Sequence, residues 1–144
     1  MSLKQISVFV ENKPGKMQHL TQVLADHKVD MRALSLAETS DFGIVRIIVD
    51  DVYAASTKLK EEGFNHNVTK VQGVAIPDEP GGLNNVLKVL GEAQINVEYM
   101  YAFLGGKDAE HAYMIFRVED RKAAVAALAA QGIRCVDQDE LGQL

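Results

Sequence analysis

The 144-residue sequence predicts an α+β fold made of two tandem βαββαβ units, each with an antiparallel sheet and both helices on one face. Two observations predict it. The two halves of the chain align as an internal repeat. Within each half, segments whose hydrophobic residues recur at every second position, as in strands, are interspersed with segments that have helical spacing. We place the first repeat at residues 1–71 and the second at residues 72–144. A chain of this length buries enough surface for a real core.

The repeat aligns Val8–Met17 with Val74–Leu83, because both segments contain a short strand, polar residues, Pro-Gly and an amphipathic run. Further along, Val29–Met31 aligns with Ile95–Val97. The spacing slips only between the second and third strands, where Gly105–Asp108 lengthens a hairpin in the second repeat. Insertions at a hairpin tip are tolerated within one fold, so the two halves are expected to share it.

In the first repeat, alternation predicts strands and 3.6-residue spacing predicts helices. The first helix follows Pro14-Gly15, and its apolar stripe consists of Met17, Leu20, Val23, Leu24 and His27. The second helix begins after Asp50-Asp51, since carboxylates suit a helix start, and it ends at Gly63, which can take the left-handed cap conformation. The predicted strands are Gln5–Val10, Met31–Ala37, Ile44–Val49 and Asn67–Val71.

The second repeat uses the same elements in the same order. Its second helix runs from Asp120 to Gly132, and a very short linker at Gln72-Gly73 is expected to keep the two repeats close together. The stripe of its first helix consists of Leu83, Val86, Leu87, Leu90 and Ala93. The predicted strands are Val74–Ile76, Val97–Leu104, Ala112–Val118 and Ile133–Asp137.

Charge and composition exclude several functional classes. The net charge of −5 and the pI of about 5.3 argue against a nucleic-acid partner and against binding to an anionic membrane surface. The sequence contains no run of 18 apolar residues, so it predicts no membrane span. The N-terminus lacks the pattern of a signal peptide. The single cysteine, Cys135, allows no internal disulfide and is expected to be a small core residue. We therefore expect a protein of the reducing cytoplasm.

The sequence contains no recognisable catalytic motif. The four histidines, His19, His27, His66 and His111, lack the spacing of a metal site, and His27 is expected to pack at a helix end. The acidic C-terminal residues Asp137, Asp139 and Glu140 are expected to be solvated. We predict no catalytic residue, no metal ligand and no cofactor, and hence a protein that is not an enzyme.

The most informative local feature is Asn12-x-Pro14-Gly15, which recurs as Asp78-x-Pro80-Gly81 at each junction of strand and helix. Glycine lets a ligand approach the backbone, and the amides that follow it lack partners and form the positive end of a helix dipole. They suit a carboxylate, while the Asn or Asp before the proline suits an ammonium group. A free amino acid carries both groups. The alternative is that each Pro-Gly is only a turn and Asp78 only a helix cap.

These residues resemble the ACT domain, and the whole chain resembles a tandem ACT-domain protein. The resemblance lies in Asn12–Met17 and Asp78–Leu83, together with Asp30-Met31 and Asn96-Val97. It implies a regulatory module with amino-acid ligands held between the Pro-Gly loop of one domain and the second strand of a neighbouring domain. The ligand-binding residues implied are Asn12, Lys13, Pro14, Gly15, Lys16, Met17, Asp30, Asp78, Glu79, Pro80, Gly81, Gly82, Leu83 and Asn96.

The first repeat departs from the family pattern at Lys16, Met17 and Asp30, so its site is either degenerate or binds differently. The aromatic residues of Glu98–Phe103 either wall a pocket or pack across strands. Three functions remain open: an amino-acid sensor, a regulatory subunit that docks on an amino-acid metabolic enzyme without binding a ligand itself, and an enzyme that uses His66 or His111. A homodimer is expected, because tandem units leave strand edges and a sheet face uncovered.

Overall fold

The computed structural model describes residues 2–105 and 110–144, so most of the predicted hairpin tip at Gly105–Asp108 lies outside the described residues. The chain divides into two compact units. The first unit is Lys4–Thr69, and the second is Lys70–Leu144 together with the N-terminal residues up to Leu3. Each unit pairs antiparallel strands and packs two helices on them, which confirms the predicted tandem ferredoxin-like α+β fold. The boundary between residues 71 and 72 stays a prediction.

In the first unit the strand order is β2–β3–β1–β4, with β3 antiparallel to both β1 and β2. Period-2 alternation turns Ile6, Val8 and Val10 of β1 toward the helices, where they meet Leu20 and Leu24. One core therefore lies between the sheet and the two helices. The elements are β1 (Leu3–Glu11), α1 (Lys16–Asp26), β2 (Met31–Glu38), β3 (Phe42–Val49), α2 (Val52–Glu61) and the beginning of β4 (Asn65–Pro77).

The second unit repeats this arrangement with the strand order β5–β6–β4–β7. Its core joins Val74 and Ile76 of β4 to Val86, Leu90 and other buried residues of the two helices. Cys135 lies in this core, as predicted. The elements are the end of β4, α3 (Gly82–Glu92), β5 (Val97–Ala102), β6 (His111–Val118), α4 (Arg121–Ala130) and β7 (Cys135–Val136).

The ends of α2 and α4 follow the sequence prediction. The carboxylates of Asp51 and Asp120 accept hydrogen bonds from the backbone N–H groups of Ala54 and Ala123, at 2.9 and 3.1 Å. After each helix, Gly63 and Gly132 adopt the left-handed conformation, with φ of 81° and 73°. Local sequence therefore determines where these helices begin and end.

The very short linker predicted at Gln72-Gly73 is part of a continuous strand, so the prediction of a linker at these residues was wrong. β4 runs without interruption from Asn65 to Pro77, and Gln72 and Gly73 pair with Phe116 and Ile115 of β6. A Cβ atom at position 73 would lie 2.6 Å from Leu3 Cδ1. The absence of a side chain at Gly73 thus lets the Leu3 side chain pack closely against β4, and the glycine does not mark a turn.

The C-terminus also differs from the prediction. Strand β7 is only two residues long, and a 3₁₀ helix, Gln138–Gln143, follows it. Asp137 and Glu140 form a capping box at its start, and Glu140 accepts from Arg134. Leu141 and Leu144 are buried. The acidic stretch is therefore an ordered segment that is held in place by a hydrogen-bonded cap.

Two stripe residues lie at helix ends and are exposed. His27 is the C-terminal cap of α1, where its Nδ1 lies 2.9 Å from the Val23 carbonyl oxygen, and Ala93 is the corresponding cap of α3. The stripes therefore end one turn earlier than predicted.

Among the described residues, no helix combines the length and hydropathy that crossing a membrane requires.

Candidate functional site

The two Pro-Gly loops have nearly the same backbone. Gly15 and Gly81 precede α1 and α3 with φ of 84° and 86°, a conformation that favours glycine, and a Cβ at either position would meet no described residue within 4 Å beyond its chain neighbours. No described side chain caps either helix. The glycines thus leave the mouths of both helices open.

The open amides can be assigned in each loop. In the first, the N–H of Lys16 donates to the Lys13 carbonyl (3.3 Å) and that of His19 donates to Gly15 (3.0 Å). The N–H groups of Met17 and Gln18 lie between them and have no partner among the described residues. Such amides form the positive end of the helix dipole and can hold an anion.

The second loop repeats this pattern. Gly82 donates to the Glu79 carbonyl (3.1 Å) and Asn85 donates to Gly81 (3.0 Å), which leaves the amides of Leu83 and Asn84 open within the part of the chain that is described. We call Met17, Gln18, Leu83 and Asn84 the four open amides.

Gly82 and Gly81 differ in what a side chain at each position would contact. A Cβ on Gly82 would lie 2.3 Å from the carbonyl oxygen of Pro77, which is a backbone atom and cannot rotate away. The absence of a side chain at position 82 therefore lets the helix start pack against the end of β4. The space at the mouth of the helix depends on Gly81.

The loops differ in charge. In the first loop, Lys13 lies 2.9 Å and Lys16 lies 3.7 Å from the carboxylate oxygens of Glu11. The hydrogen bond from Lys13, followed by the charges of Lys13 and Lys16, lowers the pKa of Glu11, and the same hydrogen bond raises the pKa of Lys13. The second loop has the acidic Asp78 and Glu79 in place of such pairs, both of them exposed. The two loops therefore suit different ligand groups.

Hydrogen bonds fix each loop to the turn after the second strand. The Asn12 side chain donates to the Thr39 carbonyl (3.2 Å), and its backbone N–H donates to Asp41 (2.9 Å). The backbone N–H of Asp78 donates to the Glu110 carbonyl (3.0 Å) in the second unit. Asn12 thus uses its donor in the fold and retains its side-chain oxygen as an acceptor.

Within one unit, the structure does not bring Asp30 or Asn96 to the loops. β1 ends at Glu11 opposite Phe42, whereas β2 begins beside Val49, at the far end of the sheet. There the Arg32 guanidinium donates a hydrogen bond to the Asp30 carboxylate (3.3 Å). A site that combines these residues with a Pro-Gly loop requires a loop from another domain.

Met17 and Leu83 are half-buried, and their side chains pack on the two cores while their backbone amides lie at the helix mouths. The aromatic residues of the β5 segment contact one another. Tyr99 stacks on Tyr101 at 6.5 Å, and Phe103 meets Tyr113 edge-on at 5.8 Å. These contacts support the packing interpretation of that segment.

A pair of clefts beside the loops was not predicted. The first cleft, about 290 Å³, lies between the end of β1, the start of α1 and the turn after α2. The second, about 280 Å³, occupies the corresponding place in the second unit. Their linings align through the repeat: Phe9 with Ala75, Glu11 with Pro77, His19 with Asn85, Phe42 with His111, and Glu62–Asn65 with Gln131–Arg134. The repeat alignment was the available signal, but three distant segments have to meet before a cleft exists.

The clefts share a shape and differ in chemistry. In the first, His19 contacts the Phe64 ring at 5.0 Å and lies 3.9 Å from Glu62. In the second, Asn85 and Ile133 replace His19 and Phe64. Among residues 2–105 and 110–144, no three His, Cys, Asp or Glu side chains are grouped to hold a metal.

Comparison with known proteins gives the family. A profile described as an ACT domain pair matches residues 1–144. The chain belongs to this ACT domain-pair family. The ACT domain pair is also similar, at 35% identity, to the crystal structure of protein BT0572 from Bacteroides thetaiotaomicron, with a TM-score of 0.92 and coverage of 100% of this chain and 98% of that one.

More distant likenesses show the ACT-pair fold alone. The regulatory subunit of aspartate kinase from Thermus thermophilus, in its ligand-free form, is 15% identical, with 88% and 90% of the two chains covered and a TM-score of 0.62. Aspartate kinase from Synechocystis is 18% identical over 89% of this chain and 25% of its own, with a TM-score of 0.59. No curated protein matches the chain.

Proposed function

We propose that this ACT domain pair is a non-catalytic regulatory protein that binds a free amino acid at its Pro-Gly loops. The observation that carries the proposal is the duplicated helix mouth, in which a left-handed glycine precedes two amides that have no partner among the described residues. The ligand carboxylate accepts from these amides, and the oxygen of Asn12 or Asp78 accepts from the ammonium group.

The second loop is the better amino-acid site. Asp78 is exposed and has no ion pair among the described residues, so its carboxylate is available to an ammonium group. In the first loop, Lys13 and Lys16 lie beside Glu11, and the loop offers only the neutral oxygen of Asn12. We therefore expect different affinities at the two loops.

The rest of the pocket comes from another domain. Asp30 and Asn96 lie at the far end of their own units, so they reach a ligand only when the second strand of a neighbouring domain lies against a Pro-Gly loop. A homodimer would supply such a neighbour. Light scattering tests this part of the proposal, since a monomer at all concentrations contradicts it.

Thermal unfolding in the presence of each common amino acid tests the proposal. A ligand at a hundred times its Kd adds about 2.7 kcal/mol of stability, which raises the unfolding midpoint by several degrees. Gly81→Val places a side chain at the second helix mouth and is expected to abolish most of this shift. Gly105→Val is the matched control, because Gly105 also has a left-handed backbone, and a Cβ there would meet no described residue within 4 Å beyond its chain neighbours. A flat response across the panel contradicts amino-acid binding.

A second candidate is a regulatory subunit that docks on an enzyme of amino-acid metabolism without binding a ligand itself. The fold likeness to an aspartate kinase regulatory subunit favours it. Stable co-purification with such an enzyme, together with no thermal response to any amino acid, would select this function over the first.

A further inference from the structure

A cavity of about 530 Å³ lies beside α4 in the second unit, and we call it the α4 cavity. Its polar wall contains Lys70 and Gln72 of β4 and Arg121 and Lys122 at the start of α4, and its apolar wall contains Val125 and Ala129. None of its lining residues belongs to the Pro-Gly loops or to the two clefts.

The buried amide of Gln72 is the first reason to regard the α4 cavity as a site. Only 1% of this residue is exposed, and its side-chain oxygen has no hydrogen-bond partner among the described residues. A buried acceptor without a donor is costly, because it has lost water and gained nothing in exchange. A ligand that brings an N–H or O–H group would supply the missing donor.

The cations are the second reason. Lys70, Arg121 and Lys122 line one cavity in a protein whose net charge is −5. Within the described part of the chain, none of the three forms an ion pair. Unpaired cations around a cavity attract an anionic group, and Arg121 can hold a carboxylate, phosphate or sulfonate with two hydrogen bonds.

The internal repeat shows that the fold does not require these groups. The positions that align with Gln72, Arg121 and Lys122 are occupied in the first repeat by Ile6, Val52 and Tyr53. Ile6 is a fully buried core residue, so the first unit folds with an apolar side chain where the second unit has an amide. Lys70 aligns with Lys4, so the features that belong to the second unit alone are the amide of Gln72 and the cations of Arg121 and Lys122.

We propose that the α4 cavity binds a small anionic molecule that also carries a hydrogen-bond donor and an apolar part. The anionic group lies between Lys70, Arg121 and Lys122, the donor reaches the Gln72 oxygen, and the apolar part covers Val125 and Ala129. This site is separate from the Pro-Gly loops, and it stands whether or not the loops bind an amino acid.

The fluorescent probe anilinonaphthalene sulfonate tests the proposal, because it combines a sulfonate, an N–H donor and aromatic rings. Titration of the full chain is expected to show saturable binding at one site. The double variant Arg121→Ala/Lys122→Ala is expected to weaken binding at least about tenfold. Gln72→Ile, which installs the residue of the first repeat, is expected to weaken binding about threefold or more while the protein remains at least as stable.

Two controls separate this site from other causes. Lys58→Ala/Lys60→Ala removes the same charge from α2, which belongs to the other unit, and is expected to leave binding unchanged. Gly81→Val is also expected to leave it unchanged, so a failure of the amino-acid proposal remains distinguishable. The proposal is overturned if the probe does not saturate by about 1 mM, if Arg121→Ala/Lys122→Ala binds like the wild type, or if the α2 control loses as much affinity.

Discussion

Replacing Gly82 by alanine probes the close contact between α3 and the end of β4. The added Cβ would lie 2.3 Å from the Pro77 carbonyl oxygen, whereas carbon and oxygen normally approach to about 3.3 Å or more. Because the obstacle is backbone, strand or helix has to move by about 1 Å. Overpacking of this kind costs about 1–3 kcal/mol, and the better helix propensity of alanine returns at most about 1 kcal/mol. We expect Gly82→Ala to lower the free energy of unfolding by about 1–2 kcal/mol.

Gly91→Ala is the matched control on the same helix. Gly91 lies within α3, and a Cβ there meets no atom within 4 Å. Alanine at this position is expected to raise the free energy of unfolding by up to about 1 kcal/mol. Chemical denaturation at constant m value measures both changes. Equal stabilities for the two variants would refute the argument from the Pro77 contact.

Three further predictions concern stability and reactivity. Asp51→Ala and Asp120→Ala are each expected to cost about 1 kcal/mol, measured by chemical denaturation, whereas Asp51→Asn keeps the cap acceptor and is expected to cost little. Burial raises the pKa of the Cys135 thiol, so a disulfide reagent at neutral pH should modify it only as the protein unfolds; modification as fast as at an engineered Lys88→Cys would contradict its burial. Burial alone would raise the pKa of Glu140, but hydrogen bonds from Arg134 and the Asp137 backbone and the charge of Arg134 together lower it. A lowered pKa contributes stability that is present above the unfolded value of about 4.3 and is lost as the pH falls through the folded value. Glu140→Gln is therefore expected to destabilise the protein at neutral pH and to have little effect near pH 3. An equal loss in the free energy of unfolding at both pH values would contradict this prediction.

Local signals in the sequence were sufficient for most of the fold. Asp51, Asp120, Gly63 and Gly132 determine helix ends through contacts within one turn, so composition and spacing predict them. The alternation in β1 likewise predicts which residues face the helices. These features depend on neighbours in the sequence, and the repeat doubles each signal.

The features that depend on distant contacts were missed. Gly73 was interpreted as part of a short linker between the repeats, yet its small size serves a contact with Leu3, far away in sequence. The C-terminal 3₁₀ helix depends on Glu140 meeting Arg134 and on the burial of Leu141. The α4 cavity was not predicted for the same reason. A single glutamine in a strand does not indicate a binding site, and the cavity exists only because α4 lies beside Gln72 in the folded protein.

The structure of the Pro-Gly loops was predicted only in part. The sequence identifies Gly15 and Gly81 and predicts open amides after them, and the backbone has that form. The sequence does not reveal that Gly82 is required by Pro77, because that contact depends on how α3 packs against β4. Whether Asp30 and Asn96 join the loops depends on a neighbouring domain, so their part in a site stays a prediction.

The proposed function depends on the four open amides, which receive the carboxylate of a small molecule. The most direct test is to titrate ¹⁵N-labelled protein with each common amino acid and follow the backbone amide signals of Met17, Gln18, Leu83 and Asn84. At least one amino acid should shift the signals of Leu83 and Asn84 in a saturable way, and Gly81→Val should remove that response. If every amino acid leaves all four signals in place at saturating concentration, the loops are turns and nothing more.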